Sequence, residues 1–113
     1  MKLFSKDLMM EMMDGNVSEV INIAKMFLEI GPQMIDSIDN AIKTEDWVTA
    51  SDAAHRLKTS LKLWQMTTLI NLAVSIENNG YDSSNADGIK DDFVELKKGL
   101  NIALKQIQEE FSL

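Results

Sequence analysis

The chemistry that this chain could perform centres on His55, its only histidine. Three basic side chains follow within seven residues, Arg56, Lys58 and Lys62, and no acidic one, although the formal net charge of the chain is −7. On a helix, each residue turns by about 100°. One face of such a helix carries His55 together with Lys58, Thr59, Lys62 and Met66.

The opposite face of the same stretch is apolar. Its members recur at alternating spacings of four and three residues: Ala50, Ala54, Leu57, Leu61, Trp64 and Thr68. Such a stripe is typical of a helix that packs on a core, so we expect the face that carries His55 to be exposed to water.

An exposed imidazole among cations suits phosphoryl transfer. A neutral imidazole is a good phosphoryl acceptor near neutral pH, and the reaction requires little of the acceptor beyond positioning and nearby positive charge. Lys58, one turn after His55, and Lys62, two turns after it, are placed to supply that charge. The alternative is that His55 is an incidental surface residue on an ordinary solvated face.

Many other chemistries are excluded. The chain has no cysteine, no Glu-x-x-His pair and no Gly-rich nucleotide loop, and no nucleophile-elbow sequence surrounds a serine. We therefore expect no cofactor or metal ion of its own, and no enzyme with its own nucleotide site or autokinase activity.

Length and composition indicate one folded domain over residues 1–113. Apolar residues make up 45% and charged residues 26%, which is ordinary for a globular chain. An early run of charges argues against a signal peptide, and no apolar stretch approaches a membrane span of roughly 20 residues. We expect a cytoplasmic monomer with no membrane partner. A pI near 4.5 argues against nucleic acid as a partner.

Helical spacing predicts an all-α chain with five helices, at about residues 3–13, 18–43, 46–65, 67–80 and 89–111. Ser18 is the expected N-cap of the second helix, which we expect to continue, kinked, through Gly31 and Pro32. The polar stretch 81–88 is the expected longest loop. These elements predict an antiparallel four-helix bundle with a short additional N-terminal helix.

Methionines are concentrated at the N-terminus. Five of the chain's eight lie there: Met1, Met9, Met10, Met12 and Met13. They either fill an irregular gap beneath the short first helix or, as Met9, Met12 and Met13 would allow, form an adaptable docking surface.

At residues 54–60, Ala-His-Arg-Leu-Lys-Thr-Ser, the chain resembles the histidine phosphotransfer (HPt) domain family, whose signature is approximately Ala-His-x-Leu-Lys-Gly-Ser. All fixed positions but one match. The resemblance extends over nearly the whole chain, through Phe-Leu-Glu-Ile-Gly-Pro at 27–32, Ala41, Asp46-Trp47, Leu69 and Ile76-Glu77.

The resemblance implies a phosphorelay carrier of two-component signalling, which accepts a phosphoryl group from the aspartate of one receiver domain and passes it to another response regulator. It assigns phosphorylation to His55 and phosphate neutralisation to Lys58. It also implies that Glu77 lies near the imidazole and orients it, unless Glu77 is only a surface residue. Receiver domains and a hybrid sensor kinase are the implied partners, with Mg²⁺ on the receiver.

The expected docking face combines side chains around His55 with the methionines of the first helix: Arg56, Thr59, Lys62, Met66, Met9, Met12 and Met13. Two residues depart from the family pattern, because Thr59 and Gln65 stand where glycines are usual. Thr59 should narrow the approach of a partner. The alternative function is a degenerate, non-catalytic helical interaction module.

Overall fold

The fold was analysed in a computed structural model that describes residues 1–82 and 85–113, with the backbone alone at Asp82. It has five helices: α1 (Asp7–Met12), α2 (Val17–Lys43), α3 (Trp47–Leu63), α4 (Thr67–Asp82) and α5 (Ala86–Glu110). The four long helices pack in a ring, each against the next, and α5 closes the ring on α2. The predicted all-α bundle with a short N-terminal helix is confirmed. No helix of the described residues is long and apolar enough to cross a membrane.

The apolar stripe of α3 faces the bundle axis, as predicted. Five of its members are buried: Ala50, Ala54, Leu57, Leu61 and Trp64. Thr68 is exposed, because α3 has already ended and Thr68 lies in the first turn of α4. Trp64 contacts three other rings, those of Phe4, Phe27 and Phe111, at centroid distances of 6.0, 6.2 and 6.2 Å. Both chain ends are thereby fixed against the end of α3.

Helix α2 continues through Pro32 as one element, as expected. Proline crowds the Cβ of the residue before it when that residue is helical, and Gly31 has no Cβ to be crowded. The N-cap differs from the prediction. Asn16, not Ser18, accepts the capping hydrogen bond, from the backbone N–H of Glu19 at 3.3 Å.

Four helices end in the same backbone motif. In each, a residue other than glycine has a positive φ just after the helix: Asp14 (51°), Glu45 (56°), Gln65 (53°) and Ser112 (55°). The N–H of the following residue then donates to a carbonyl five residues earlier, as Met66 does to Leu61 at 3.0 Å. This Schellman motif satisfies the last carbonyls of the helix and turns the next side chain back onto it.

Several predicted helix boundaries are wrong. Helix α1 begins at Asp7 and not near residue 3, because the preceding segment is tied to α3 by a bond from Ser5 N–H to the Trp64 carbonyl at 2.9 Å. Gly80 does not end α4, which continues to Asp82. Since α5 begins at Ala86, the predicted loop is shorter than 81–88, and residues 83 and 84 lie outside the described residues.

Candidate functional site

His55 lies near the middle of α3 with its side chain exposed by 56%. Its orientation follows from the buried stripe on the opposite face of the helix. The first turn of α3 is fixed by Asp46, which accepts hydrogen bonds from the backbone N–H of Thr49 at 3.2 Å and from its hydroxyl at 2.7 Å. An exposed imidazole on a rigid helix is available to an approaching protein.

Glu77 on α4 binds one nitrogen of this ring. Its Oε2 lies 2.7 Å from Nδ1 of His55, and the glutamate is buried, with 8% of its surface exposed. The hydrogen bond from Lys58 lowers the pKa of Glu77, with a smaller contribution from His55, although burial opposes the shift. The carboxylate is therefore ionised and only accepts, so Nδ1 carries a proton, and in the neutral form of the ring Nε2 keeps its lone pair.

Lys58 binds the other oxygen of the same carboxylate. Its Nζ lies 2.7 Å from Oε1 of Glu77, and its side chain is 17% exposed. One carboxylate thus joins the histidine and the lysine, which lie one turn apart on α3. In this arrangement the ammonium group is directed toward α4 and not into the solvent beside the imidazole.

Two residues that the sequence analysis did not identify place Glu77 at this position. Ser51, buried on α3, donates a hydrogen bond to the backbone carbonyl of Glu77. Gly80, one turn further along α4, packs so closely on α3 that a Cβ would lie 2.7 Å from the carbonyl oxygen of Trp47. The run of small residues at 50–54 was the available signal of close helix packing.

A second link between α3 and α4 lies next to this one. The Tyr81 hydroxyl donates to Oδ1 of Asp52 at 3.2 Å. Asp52 precedes His55 by one turn, and Tyr81 follows Glu77 by one turn. Both links lie on the side of the bundle that exposes His55.

Three residues of the predicted docking face lie on the exposed part of α3 beside His55. Arg56, Thr59 and Lys62 are exposed, and none of the ion pairs within the described ranges involves Arg56 or Lys62. The face is therefore positively charged on the C-terminal side of His55.

Met66 and Met9 do not belong to this face, contrary to prediction. Met66 is fully buried because the Schellman motif at the end of α3 turns it back onto the helix, out of phase with His55. Met9 is 1% exposed and is a core residue of α1. For Met9, the gap-filling interpretation is the correct one.

The other two methionines of the predicted docking face, Met12 and Met13, differ in exposure. Met12 is 53% exposed, and Met13 is partly buried against the core. Helix α1 lies beside Gln65, whose side-chain oxygen accepts the Leu8 N–H at 3.0 Å. Ten residues of helical rise separate this contact from His55, which is about 15 Å.

A groove runs between α2 and α3 beside the exposed face, apolar near Met26 and more polar near Arg56. It consists of two adjoining hollows of about 200 and 160 Å³, which share Ile30 and Met34. Met26, 58% exposed, lines the first hollow, and Arg56 lines the second.

No group of three or more His, Asp or Glu side chains within residues 1–82 and 85–113 could hold a metal ion. What the site offers is an exposed nucleophilic nitrogen with a fixed tautomer, on a helical bundle and next to a lysine. An imidazole in this setting on a helical bundle is chemically able to accept a phosphoryl group.

The Hpt domain family model matches residues 22–110 of the 113-residue chain, which therefore belongs to the Hpt domain family. Hpt domains act in phosphotransfer of two-component signalling, as phosphocarriers and not as enzymes, and they interact with receiver domains and kinases. No curated protein and no solved structure matches the chain.

Proposed function

We propose that His55 carries a phosphoryl group between aspartates of receiver domains, taking it from a hybrid sensor kinase or a response regulator and passing it to another regulator. The observation that carries this proposal is the bond between His55 Nδ1 and Glu77 at 2.7 Å, because it leaves Nε2 as the nucleophile. Glu77 acts through the imidazole and is a positioning residue.

The transfer needs no proton acceptor in this domain. The lone pair of Nε2 attacks phosphorus, the bond from phosphorus to the donor aspartate oxygen breaks, and the carboxylate leaves with the electron pair. The Nδ1 proton stays in place, held by Oε2 of Glu77, so the ring becomes an imidazolium. The reverse sequence returns the phosphoryl group to an aspartate. Mg²⁺ bound by the receiver domain would supply further positive charge to the phosphoryl oxygens.

The receiver docks on the exposed face of α3 and on the α2/α3 groove. Arg56, Thr59 and Lys62 are exposed on the same helix as the nucleophile, and Met26 and Ile30 of α2 add apolar surface. In the proposed docking surface, these two α2 side chains replace Met9 and Met66, which were predicted from the sequence but are buried. A small interface with a charged centre suits a partner that must dissociate after each transfer.

Transfer from a phosphorylated receiver domain tests this function. Phosphohistidine is acid-labile and base-stable, and His55 is the only histidine, so the loss of such a phosphate on substitution of His55 assigns it to this position. We expect the wild-type protein to become phosphorylated and His55→Gln to remain unlabelled. The variant Lys105→Gln, at an exposed position of α5, controls for general effects of substitution. Circular dichroism checks that His55→Gln keeps its helices. A protein that takes up no phosphate from any receiver would contradict the proposal and favour a non-catalytic interaction module.

A further inference from the structure

Lys58 is not free to meet an incoming phosphoryl group in the resting protein. Glu77 uses both carboxylate oxygens, Oε2 for His55 and Oε1 for Lys58, each at 2.7 Å. The Lys58 side chain is mostly buried by this contact. The negative carboxylate of Glu77 thus lies between the Lys58 ammonium and the imidazole.

Phosphorylation changes this order of charges. A phosphoryl group on Nε2 adds two negative charges, while the proton retained on Nδ1 makes the ring a cation. Lys58 and His55 lie three residues apart on one face of α3, and the flexible four-carbon stem of lysine lets its ammonium move between neighbouring anions. If Lys58 moves to the phosphoryl oxygens, every anion lies next to a cation: phosphoryl between lysine and imidazolium, and Glu77 against the imidazolium.

We propose that Lys58 exchanges Glu77 for the phosphoryl oxygens when His55 is phosphorylated, and that Glu77, by competing for this lysine, shortens the lifetime of the phosphohistidine. This inference rests on the proposed function and concerns the same site. When the phosphoryl group leaves, the bond from Nε2 to phosphorus breaks and the electron pair returns to Nε2. The phosphoryl group goes to a receiver aspartate or to water, and Lys58 returns to Glu77.

Glu77→Gln separates the two tasks of this residue. The amide oxygen still accepts the hydrogen bond from Nδ1, but the side chain has no charge with which to hold Lys58. We expect the phosphohistidine half-life to lengthen several-fold in Glu77→Gln and to shorten in Lys58→Gln. In a Lys58→Gln background, Glu77→Gln should change the half-life much less, because no lysine is left to compete for.

The half-lives are measured by ³¹P NMR after loading with phosphoramidate, a small donor that requires no docking partner. Glu95→Gln, at an exposed position of α5, is the matched control and should decay as the wild type does. An unchanged half-life in Glu77→Gln would overturn the inference. So would an equal lengthening with and without Lys58, since Glu77 would then act on the ring alone.

A second measurement uses the wild-type protein, in case a variant does not fold. On phosphorylation, the ¹⁵N signal of the Lys58 ammonium and the ¹³C signal of the Glu77 carboxylate should both shift as their bond is lost. Unchanged signals in the phosphorylated protein would refute the exchange. If the wild type accepted phosphate neither from phosphoramidate nor from a receiver domain, this result would instead refute the proposed function itself.

Discussion

Gly80 of α4 lies directly against Ser51 of α3, so closely that a Cβ on Gly80 would be 2.8 Å from the Ser51 Cβ. Real Cβ atoms do not approach a neighbour at this distance, so a side chain would force the two helices apart. One turn away on α4, Glu77 receives the hydrogen bond from Ser51 and contacts His55. The spacing between the helices at Gly80 thus determines whether Glu77 reaches the imidazole.

Gly80→Ala should therefore weaken both the fold and the site. Overpacking against backbone typically destabilises a protein by about 1–3 kcal/mol, and a displaced α4 lengthens the bond from Glu77 to His55 Nδ1. Urea unfolding measures the first effect, and the ¹⁵N shifts of the imidazole measure the second. In the control Gly99→Ala, the new Cβ meets only the side chain of Leu69. The control should leave the imidazole shifts unchanged, and similar shifts in both variants would contradict the argument.

Sequence periodicity was sufficient for the helices and for the exposure of His55, because both depend on the alternation of apolar and polar residues along one chain. The contact of Glu77 with Lys58 was not predictable in this way, since it depends on the distance between two helices. That distance is set by Ser51 and Gly80, and the sequence pattern had indicated Gly80 only as the end of the fourth helix. Met66 was assigned to the wrong face because the helical pattern was extended beyond Leu63. Helix α3 ends at Leu63, and the positive φ of Gln65 then turns the chain.

The ionised Glu77 should make the free energy of unfolding depend on pH in the acidic range. Glu77 has a lowered pKa in the folded protein, chiefly through the hydrogen bond from Lys58, so its folded-state pKa lies below the value of about 4.3 for a free glutamate. The stabilisation is complete above the unfolded-state pKa and disappears as the pH falls through the folded-state pKa. The difference in unfolding free energy between wild type and Glu77→Gln should be constant above about pH 5.5 and shrink in more acidic solution.

Urea unfolding at a series of pH values checks this dependence. The pKa values of Asp46 and Glu110 are also lowered, mainly by hydrogen bonds from Thr49 and Lys2 respectively. Both residues are present in wild type and variant, so their contributions cancel in the difference. Glu95→Gln reports the general effect of removing one carboxylate from a chain of net charge −7. A difference that stays constant down to pH 3 would show that the carboxylate of Glu77 is not stabilised in the fold.

The residues with left-handed backbone conformation after α2 and α3 form a matched pair for a stability test. Glu45 and Gln65 have almost the same φ, 56° and 53°, and this conformation costs a residue with a Cβ roughly 1–2 kcal/mol. Glu45→Gly should stabilise the protein by about 0.5–1 kcal/mol after the greater unfolded-state entropy of glycine is included. Gln65→Gly should stabilise the protein less, because it also removes the side-chain oxygen that accepts the hydrogen bond from the Leu8 N–H. Thermal unfolding measures both variants, and an equal gain would mean that this bond contributes nothing.

The groove between α2 and α3 makes a prediction about docking that is separate from the chemistry. Met26 is 58% exposed at the edge of this groove, so Met26→Ser should raise the KM for a phosphorylated receiver while its rate with phosphoramidate stays unchanged. Val94→Ser is the matched control, because Val94 is 61% exposed on α5 and lies on a different groove. Both variants replace an exposed apolar side chain by serine, so general effects on solubility are common to them. A rise in KM for Met26→Ser alone would place the receiver over α2 and α3, whereas equal effects in the two variants would exclude the groove as its docking surface.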